Sequence, residues 1–423
     1  MNLQFVPTGV NNSEIKQQNI SAILLTLLHH QRISRIQLAH RIGVSTSTIT
    51  NLISELISAS IVVEEGNRIG IQTGAGRPQR ALRLDATSRY GFGVHIDVGK
   101  VHVALVDLCG TVLQKVTFAH LLDVPWEQVL NEICNQIKHL IKVNAIEHAS
   151  VLGIGVAASG LVDARSGVNI ISPNLKWHDV PIRIYIEDAM SLPVVVENNV
   201  RAMALGEAYF GCAQGVYSVA FFYSRFGVGA GFVIGGQVFR GSAAGAGEVG
   251  HTTILLQEKA GDMSFQPTCL EDLISEPALL ERVRQRLLSH PKDKLTAQMH
   301  AGTLTLESIF EQARSGSGIA TEVIREYAFF VGLALANLIN VFNPELIILG
   351  GLLHQFASDL MAQIERTVED YAFGNLSEKI RIVKTSFGQL AGVIGASALV
   401  LDQYFYRSTV PIFTTTEVGD ALT

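Results

Sequence analysis

The chain has 423 residues, 48 % of them hydrophobic and 17 % charged, a balance that excludes a disordered protein and supplies apolar side chains for two or three domains. No apolar run reaches the 18 residues of a membrane span, and the first ten residues lack the basic start and apolar run of a secretion signal. The four cysteines form no CxxC pair. We therefore expect a cytoplasmic protein with no membrane partner and no disulfide framework.

Charge is distributed unevenly along the chain. The net charge is −6, but residues 1–90 hold nine Lys and Arg against five Asp and Glu, a local charge of +4, whereas the remainder holds 23 against 33, or −10. A basic front end on an acidic body is typical of a nucleic-acid-binding domain joined to a domain of another kind.

Two helices are predicted at the start of the chain. Apolar residues recur at helical spacing over residues 13–29, with Ser13 as the N-cap. A second helix over residues 35–42 begins after Ser34 and ends at Gly43, a residue type that terminates helices by adopting a left-handed conformation.

A third helix follows after Ser45 and presents a polar outer face. Its apolar residues form one inward stripe, and no acidic residue precedes Glu55. Two short helices joined by a glycine-containing turn, the second with small hydrogen-bonding side chains, are typical of a helix-turn-helix with its recognition helix. The DNA contacts predicted on this motif are Arg35, Ser45, Thr46, Ser47, Thr48, Thr50 and Asn51.

A wing is predicted after the third helix. Residues 61–64 and 80–84 alternate as two strands would, and the glycine-rich, basic segment 70–80 joins them. Within it, a Gly-Arg-Pro sequence projects Arg77 from a slim backbone, which suits a narrow minor groove; Arg80 is a second candidate contact. The alternative is a three-helix interaction module with a solvated loop. The basic excess and the polar third helix together favour double-stranded DNA as the partner.

The body opens twice with three consecutive strands. The first set is predicted at residues 91–97, 101–108 and 111–118, followed by a helix at 125–143 and a strand at 151–157. The second set is predicted at residues 217–223, 231–234 and 237–240. This repetition predicts an α/β body of two lobes with a cleft between them.

Six motifs of the body resemble those of the ROK family of repressors and sugar kinases, in order and approximate spacing. They are Pro173-Asn174-Leu175-x-Trp177, Glu197-Asn198-Asn199, Gly206-Glu207-Ala208, Gly227-x-Gly229-Ala230-Gly231, Gly247-Glu248-Val249-Gly250-His251 and Cys269-Leu270-Glu271. With a winged helix-turn-helix in front, the chain is similar to the repressor branch, which includes xylose and N-acetylglucosamine repressors.

The resemblance implies a two-lobed actin-like or hexokinase-like (ribonuclease H-like) ATPase fold behind the winged helix-turn-helix. The implied domains are residues 1–86 for DNA binding, 87–205 with 385–410 for the first lobe, and 206–384 for the second lobe. It also implies that the cleft binds a sugar, whose ring of hydroxyls requires carboxylates, amides and imidazole converging from several loops. The matching sugar-binding positions are Asn174, Asn198, Asn199, Glu248, His251 and Glu271.

The sequence departs from the kinases of this family in three motifs. The kinases resemble Glu-Asn-Asp where this chain ends the triplet with Asn199, and an amide cannot accept a proton from a sugar hydroxyl. Residues 97–101 replace an Asp-x-Gly-Gly-Thr phosphate turn by Asp-Val-Gly-Lys-Val, and Phe226 stands where the kinases carry Thr. We therefore expect no catalytic residue, no enzyme activity and no cofactor.

The zinc-binding pattern of the family is incomplete in this chain. Many family members resemble a pattern of one His and three Cys ligands, of which this chain keeps His251 and Cys269. Because two ligands do not hold structural zinc, no metal is predicted.

The function predicted from these patterns is sugar-responsive transcriptional repression by a homodimer or higher homo-oligomer, since a palindromic operator requires two heads. The apolar run 329–342 supplies either dimer surface or a core helix. Two alternative functions remain: an ATP-dependent sugar kinase with an accessory DNA-binding domain, and a regulator whose body docks a protein instead of a sugar.

Overall fold

The computed structural model describes residues 11–68, 80–258, 265–316 and 318–408, without the side chains of 66–68, 255–258 and 265–266. Among these residues, no helix is both long and apolar enough to cross a lipid bilayer. All four cysteines are free thiols. Arg77, the predicted wing-tip contact, lies outside the described residues.

The N-terminal head is a winged helix-turn-helix. Its elements in chain order are α1 (Asn12–His29), α2 (Arg35–Ile42), α3 (Thr46–Ser58), β1 (Val62–Arg68) and β2 (Arg80–Leu84). The two strands pair antiparallel as the base of the wing.

The helix ends of the head follow capping chemistry. Ser34 and Ser45 cap α2 and α3 as predicted, and Gly43 ends α2 with φ of 74°. The prediction for α1 was wrong: Asn11, not Ser13, is the N-cap, because its side chain and that of Glu14 form a reciprocal capping box.

The first half of the body contains eight strands and three helices among the described residues. In chain order they are β3 (Tyr90–Asp97), β4 (Lys100–Asp107), β5 (Val112–Ala119), α4 (Trp126–Val143), β6 (Val151–Ala158), β7 (Leu161–Asp163), β8 (Val168–Ser172), β9 (Trp177–Val180), α5 (Ile182–Met190), β10 (Val194–Asn198) and α6 (Asn199–Phe210). The main sheet has the order β10-β6-β3-β4-β5, with β3, β4 and β5 antiparallel and β6 and β10 parallel to β3.

The second half repeats this plan. In chain order it contains β11 (Ser218–Ser224), β12 (Val228–Ile234), β13 (Gln237–Phe239), β14 (Thr253–Glu258), β15 (Phe265–Cys269), α7 (Glu271–Ile274), α8 (Glu276–Leu288), α9 (Lys294–His300), α10 (Leu306–Arg314), α11 (Gly318–Phe342), β16 (Leu346–Gly351), α12 (Leu352–Gln355), α13 (Ala357–Tyr371), β17 (Arg381–Lys384) and α14 (Ala391–Leu401). Its main sheet has the order β13-β12-β11-β16-β17. The predicted α/β body with a repeated three-strand opening is confirmed.

Helix α14 returns from the second sheet to the first and packs at very short range. A Cβ atom built on Gly155 of β6 would lie 1.7 Å from the carbonyl oxygen of Ala396, so only glycine permits this approach. Helix α6 also approaches α14 closely, because a Cβ on Gly206 would lie 2.9 Å from the Cα of Gly395. Helices α6 and α14 therefore form one tightly packed pair.

The proposed domain division stays a prediction, and its boundary between residues 205 and 206 falls inside α6. The apolar run 329–342 lies in α11, most of whose apolar residues are buried in the core of the second lobe. Val341 is exposed over 88 % of its surface.

Candidate functional site

The start of α6 carries two of the predicted sugar contacts. The Asn198 side chain caps this helix: its Oδ1 accepts hydrogen bonds from the backbone N–H groups of Val200 (2.9 Å) and Arg201 (3.2 Å). Its Nδ2 donates to the carbonyl oxygen of Gly160 at 3.0 Å. The adjacent Asn199 is also buried, and its Oδ1 accepts from Val200 N–H at 2.9 Å. Both predicted sugar contacts thus order the helix end.

Asn174 and Glu271 approach each other from opposite lobes at Gly227. Asn174 lies in a 3-10 turn after β8, and Glu271 begins α7. A Cβ atom on Gly227 would lie 3.4 Å from Asn174 Nδ2 and 3.3 Å from Glu271 Oε2. Glu271 is held there because the same oxygen accepts the N–H of Val228 at 2.9 Å.

Glu248 and His251 flank the same space from the turn before β14. Burial raises the pKa of Glu248, the charges of Arg201 and His251 lower it, and the carboxylate of Glu271 raises it. His251 is exposed to solvent. Glu271 thus lies near Asn174 at Gly227 and also acts on Glu248, as His251 does.

A buried ionic network positions this region. Glu197 has no exposed surface, and its two carboxylate oxygens accept from Arg201 Nε at 2.8 Å and from Arg240 Nε at 2.6 Å. Arg201 also donates to the carbonyl oxygens of Ala244 (2.8 Å) and Ala246 (3.2 Å). The network thus fastens the loop that leads to Glu248 onto the first turn of α6.

Sequence reasoning missed both arginines of this network. Glu197 lies in strand β10, before the N-cap of α6, so the four-residue spacing rule for helix surfaces does not predict its pairing with Arg201. Arg240 is 43 residues from Glu197 and has no local signal either.

A cavity of about 320 Å³ lies beside the altered phosphate turn. Asp97, Lys100 and His102 from the β3–β4 hairpin contribute to its wall. Burial lowers the pKa of His102 to about 4, so its imidazole is neutral at pH 7 and bonds Thr117 Oγ1 at 2.8 Å. Val101 is completely buried in the core, which makes it a packing residue.

The predicted DNA-binding face is exposed to solvent, and some of its hydroxyl groups hydrogen-bond at the start of α3. Thr46, Ser47, Thr50 and Asn51 are exposed. The Ser47 hydroxyl oxygen lies 2.9 Å from that of Ser45, and the Thr50 hydroxyl donates to the carbonyl oxygen of Thr46 at 2.7 Å. Ser45 serves as the cap of that helix, with its Oγ 2.8 Å from the Thr48 hydroxyl oxygen.

The two described arginines of the predicted interface form ion pairs in the free protein. Arg35 Nε lies 3.1 Å from one Glu64 oxygen, and Arg80 Nη1 lies 3.4 Å from the other. DNA phosphates would compete with Glu64 for these guanidinium groups.

The residues that the structure describes contain no group of three or more His, Cys, Asp or Glu side chains arranged to hold a metal ion. The Sγ of Cys269 donates to the backbone oxygen of His251 at 3.7 Å. The absence of a structural metal stays a prediction.

Fold and site together define a two-lobed sugar-kinase type of body that carries a DNA-binding head. The ROK family profile matches residues 92–403, and a winged helix-turn-helix DNA-binding profile matches residues 17–63. The chain belongs to the ROK family, and the resemblance identified from its motifs is confirmed.

Relatives with a regulatory name match over almost the whole chain. The xylose repressor of Caldicellulosiruptor bescii is 30 % identical over 394 residues, which cover 92 % of this chain and 97 % of the relative. The crystal structure of a ROK family transcriptional regulator, a homolog of the E. coli MLC protein, is 27 % identical with a TM-score of 0.78 and covers 93 % of this chain and 97 % of its own.

A kinase of the family matches the body alone. The ROK family glucokinase from Streptomyces griseus, solved with glucose and AMPPNP, is 27 % identical with a TM-score of 0.61 and covers 73 % of this chain and 98 % of its own. These likenesses confirm the predicted fold class and favour the regulator over the kinase with an accessory domain.

We expect Glu197→Gln to destabilise the protein by about 3–5 kcal/mol, because it leaves buried Arg201 and its partner Arg240 without their counter-charge. Urea unfolding followed by the fluorescence of Trp126 and Trp177, both in the first half of the body, measures this. The control is Glu281→Gln, which removes an exposed ion pair with Arg284 and should leave the transition unchanged. Coincident curves for wild type and Glu197→Gln would show that the network does not stabilise the fold.

Proposed function

We propose that this protein is a sugar-responsive transcriptional repressor of carbohydrate-use genes, released from its operator by a carbohydrate bound between the lobes. The observation that carries the proposal is the winged helix-turn-helix packed on a ROK body whose cleft brings amide, carboxylate and imidazole groups together. The name of the Caldicellulosiruptor bescii relative supports it.

The cleft chemistry matches a sugar. A carboxylate accepts hydrogen bonds from hydroxyls, an amide both donates and accepts, and an imidazole N–H donates. Glu248, Glu271, Asn174 and His251 supply these capacities. Because Asn174 belongs to the first lobe and the other three to the second, a sugar that contacts all four binds a closed arrangement more tightly than an open one.

DNA binding by this protein requires two heads on a palindromic operator, so we propose a homodimer. Lobe closure then changes the spacing or orientation of the heads. A ligand can release DNA only to the extent that it binds the released arrangement more tightly, and closure supplies that difference.

We also propose that the protein is not an enzyme. The position of the proton acceptor in the kinases is occupied by Asn199, whose Oδ1 accepts a backbone N–H. An amide has no proton-accepting function of the required kind. The third possibility, a body that docks a protein, predicts that no sugar shifts the melting temperature.

The test starts with a thermal-shift screen of monosaccharides and their phosphates. Duplex DNA selected from a random library by the purified full chain then serves as operator, and fluorescence anisotropy measures its release by each sugar that stabilises the protein. Release supports the proposal. Stabilisation without release, or no stabilisation by any sugar, contradicts it.

Glu248→Gln should lower sugar affinity about tenfold or more, because a hydroxyl facing a weaker acceptor in a half-buried site loses about 1–3 kcal/mol. Gly227→Ala should act in the same direction by placing a methyl group between Asn174 and Glu271. Calorimetric titration with the sugar from the screen measures both.

The control for the second variant is Gly245→Ala, where a Cβ would lie 4.0 Å from Leu161, at ordinary van der Waals distance. All three variants should still bind operator, with only Gly245→Ala released normally. Loss of operator binding by folded Glu248→Gln would identify a structural residue instead of a ligand contact.

Ser47→Ala should change base preference at one operator position by about 1 kcal/mol, because the hydroxyl lies at the N-terminal end of the recognition helix, where base contacts are made. Binding to a set of single-base operator variants at constant salt measures the profile. Ser58→Ala is the control, since Ser58 is exposed at the far end of the same helix. Identical profiles for both variants and wild type would show that Ser47 does not read the base sequence.

Arg77 stays a predicted contact to phosphate or minor groove.

Asn199→Asp should not create kinase activity. A general base contributes about 10²–10⁴ in rate only where the phosphates and metal are held, and Lys100, Val101 and Phe226 leave the phosphate turns altered. A coupled ADP-release assay with ATP and the stabilising sugar measures turnover of variant and parent. Turnover by the parent protein would establish the kinase alternative. Turnover by the variant alone would show that Asn199 is the one substitution that prevents catalysis.

A further inference from the structure

We propose that helix α6, through a hydrogen bond between Tyr209 and Asp402, couples the sugar cleft to the DNA-binding head. This inference rests on the proposed function. It assigns Tyr209 and Asp402 as positioning residues that act on the head without touching sugar or DNA.

Helix α6 extends from one site toward the other. It begins at Asn199 in the cleft wall and ends at Phe210, and twelve residues of α-helix span about 18 Å. Its first turn is fastened to the cleft by the Glu197 network. Any displacement of that turn on lobe closure therefore reaches the other end of the same helix.

The far end of α6 is joined to a turn of π-helix. The Tyr209 hydroxyl donates to Asp402 Oδ1, and the Tyr209 ring lies 5.4 Å from the ring of Tyr406. Both partners belong to the π-helical turn Asp402–Tyr406, which continues α14. Burial raises the pKa of Tyr209, so the phenol stays protonated and remains the donor at neutral pH. Single π-turns inside longer helices are frequent at functional sites.

This turn is part of the hydrophobic core of the head. Phe405 and Tyr406 are completely buried, and α1 packs against the turn that carries them. One continuous cluster contains apolar residues of α1, of α6 and of the turn: Ile20, Ile23, Leu24, Leu27, Ala202, Leu205, Tyr209, Phe405 and Tyr406. Because close-packed interiors transmit displacement, a shift of the turn changes the orientation of α1.

Helix α6 is held so that it moves as a unit with its neighbours. The buried carboxylate of Glu207 accepts from Thr385 Oγ1 at 2.5 Å, from Ser386 N–H at 2.7 Å and from Cys212 N–H at 3.0 Å. Residues 385 and 386 follow β17 of the second sheet. Together with the close approach of α6 to α14, these contacts tie α6 to both halves of the body.

The Glu197 network, helix α6, the Tyr209–Asp402 hydrogen bond and the turn 402–406 thus form a contiguous set of contacts from the cleft to the head, which we call the relay. Its energetic signature is the coupling factor, the ratio of operator affinities without and with saturating sugar, which is typically 5- to 150-fold in regulated proteins. Breaking the relay lowers this ratio and leaves each separate affinity in place.

The decisive variant is Tyr209→Phe, which removes one hydroxyl and keeps the ring packing. Its sugar affinity without DNA and its operator affinity without sugar should stay within about twofold of wild type, while the coupling factor falls about fivefold or more. Asp402→Ala, which removes the acceptor together with the ion pair to Arg407, should lower the factor as well. The double variant should fall no further than the stronger single variant, because the Tyr209 hydroxyl has no Asp402 oxygen left to lose.

The matched control is Tyr404→Phe. This tyrosine lies in the same π-turn and packs on the same cluster, but its hydroxyl only accepts from the neighbouring Gln403 Nε2 at 3.2 Å. Its coupling factor should equal that of wild type. If the coupling factor of Tyr404→Phe falls as far as that of Tyr209→Phe, the effect belongs to hydroxyl removal in general, and the assignment to Tyr209 and Asp402 is overturned.

Hydrogen exchange of the wild type gives an independent measurement that needs no variant. Sugar should change amide exchange in the turn 402–406 and in α1, besides the cleft. Unchanged exchange there, or full release of operator by folded Tyr209→Phe and Asp402→Ala, overturns the relay alone. A wild type that binds sugar but keeps its operator overturns both the relay and the proposed function.

Discussion

The buried carboxylate of Glu197 is the interaction on which the cleft depends. It has no water to solvate it, and a buried charge is tolerated only when charge-assisted hydrogen bonds compensate both of its oxygens. One oxygen receives Arg201 and the backbone N–H of Asn198, and the other receives Arg240 from the end of β13. A single group thereby sets the first turn of α6, the neighbouring loop and their relative position.

The neutral amide at Asn199 is consistent with this electrostatic arrangement. The cleft already contains the carboxylates of Glu197, Glu248 and Glu271, and the last of these raises the pKa of Glu248 beyond the effect of burial. A further carboxylate at a buried helix start would oppose ionisation of its neighbours. An amide keeps the capacity to hydrogen-bond a hydroxyl without adding charge. In the function proposed above, such a scaffold recognises a sugar without deprotonating it.

Local sequence chemistry accounts for much of the fold. The caps Ser34 and Ser45, the C-terminal Gly43 and the repeated three-strand opening all follow from propensity and periodicity, and the structure contains them. Ser13 fails as a cap because two capping residue types stand close together, and the Glu three positions after Asn11 completes the box there.

The candidate site was less predictable, because its geometry depends on partners far apart in sequence. Motif resemblance located Asn174, Glu248 and Glu271, but not the reason they converge. Arg240 reaches Glu197 across 43 residues, and Tyr209 reaches Asp402 across 193. No periodicity or cap signals such pairs. Asn198 shows a different limit of prediction from sequence: the same asparagine side chain can contact a ligand or cap a helix, and the residue type does not distinguish these roles.

The shared core of head and body constrains how any signal can reach DNA. A head on a free linker could change its orientation without cost, and a ligand in the body would then have no means to select one orientation. Here α1 packs against the turn after α14, and α14 packs on α6 through glycines with no room for a side chain. Rearrangement of the cleft therefore has to repack the base of the head or be resisted by it. Continuous packing between cleft and head, more than any single contact, is what can couple the free energy of binding in the cleft to the free energy of DNA binding.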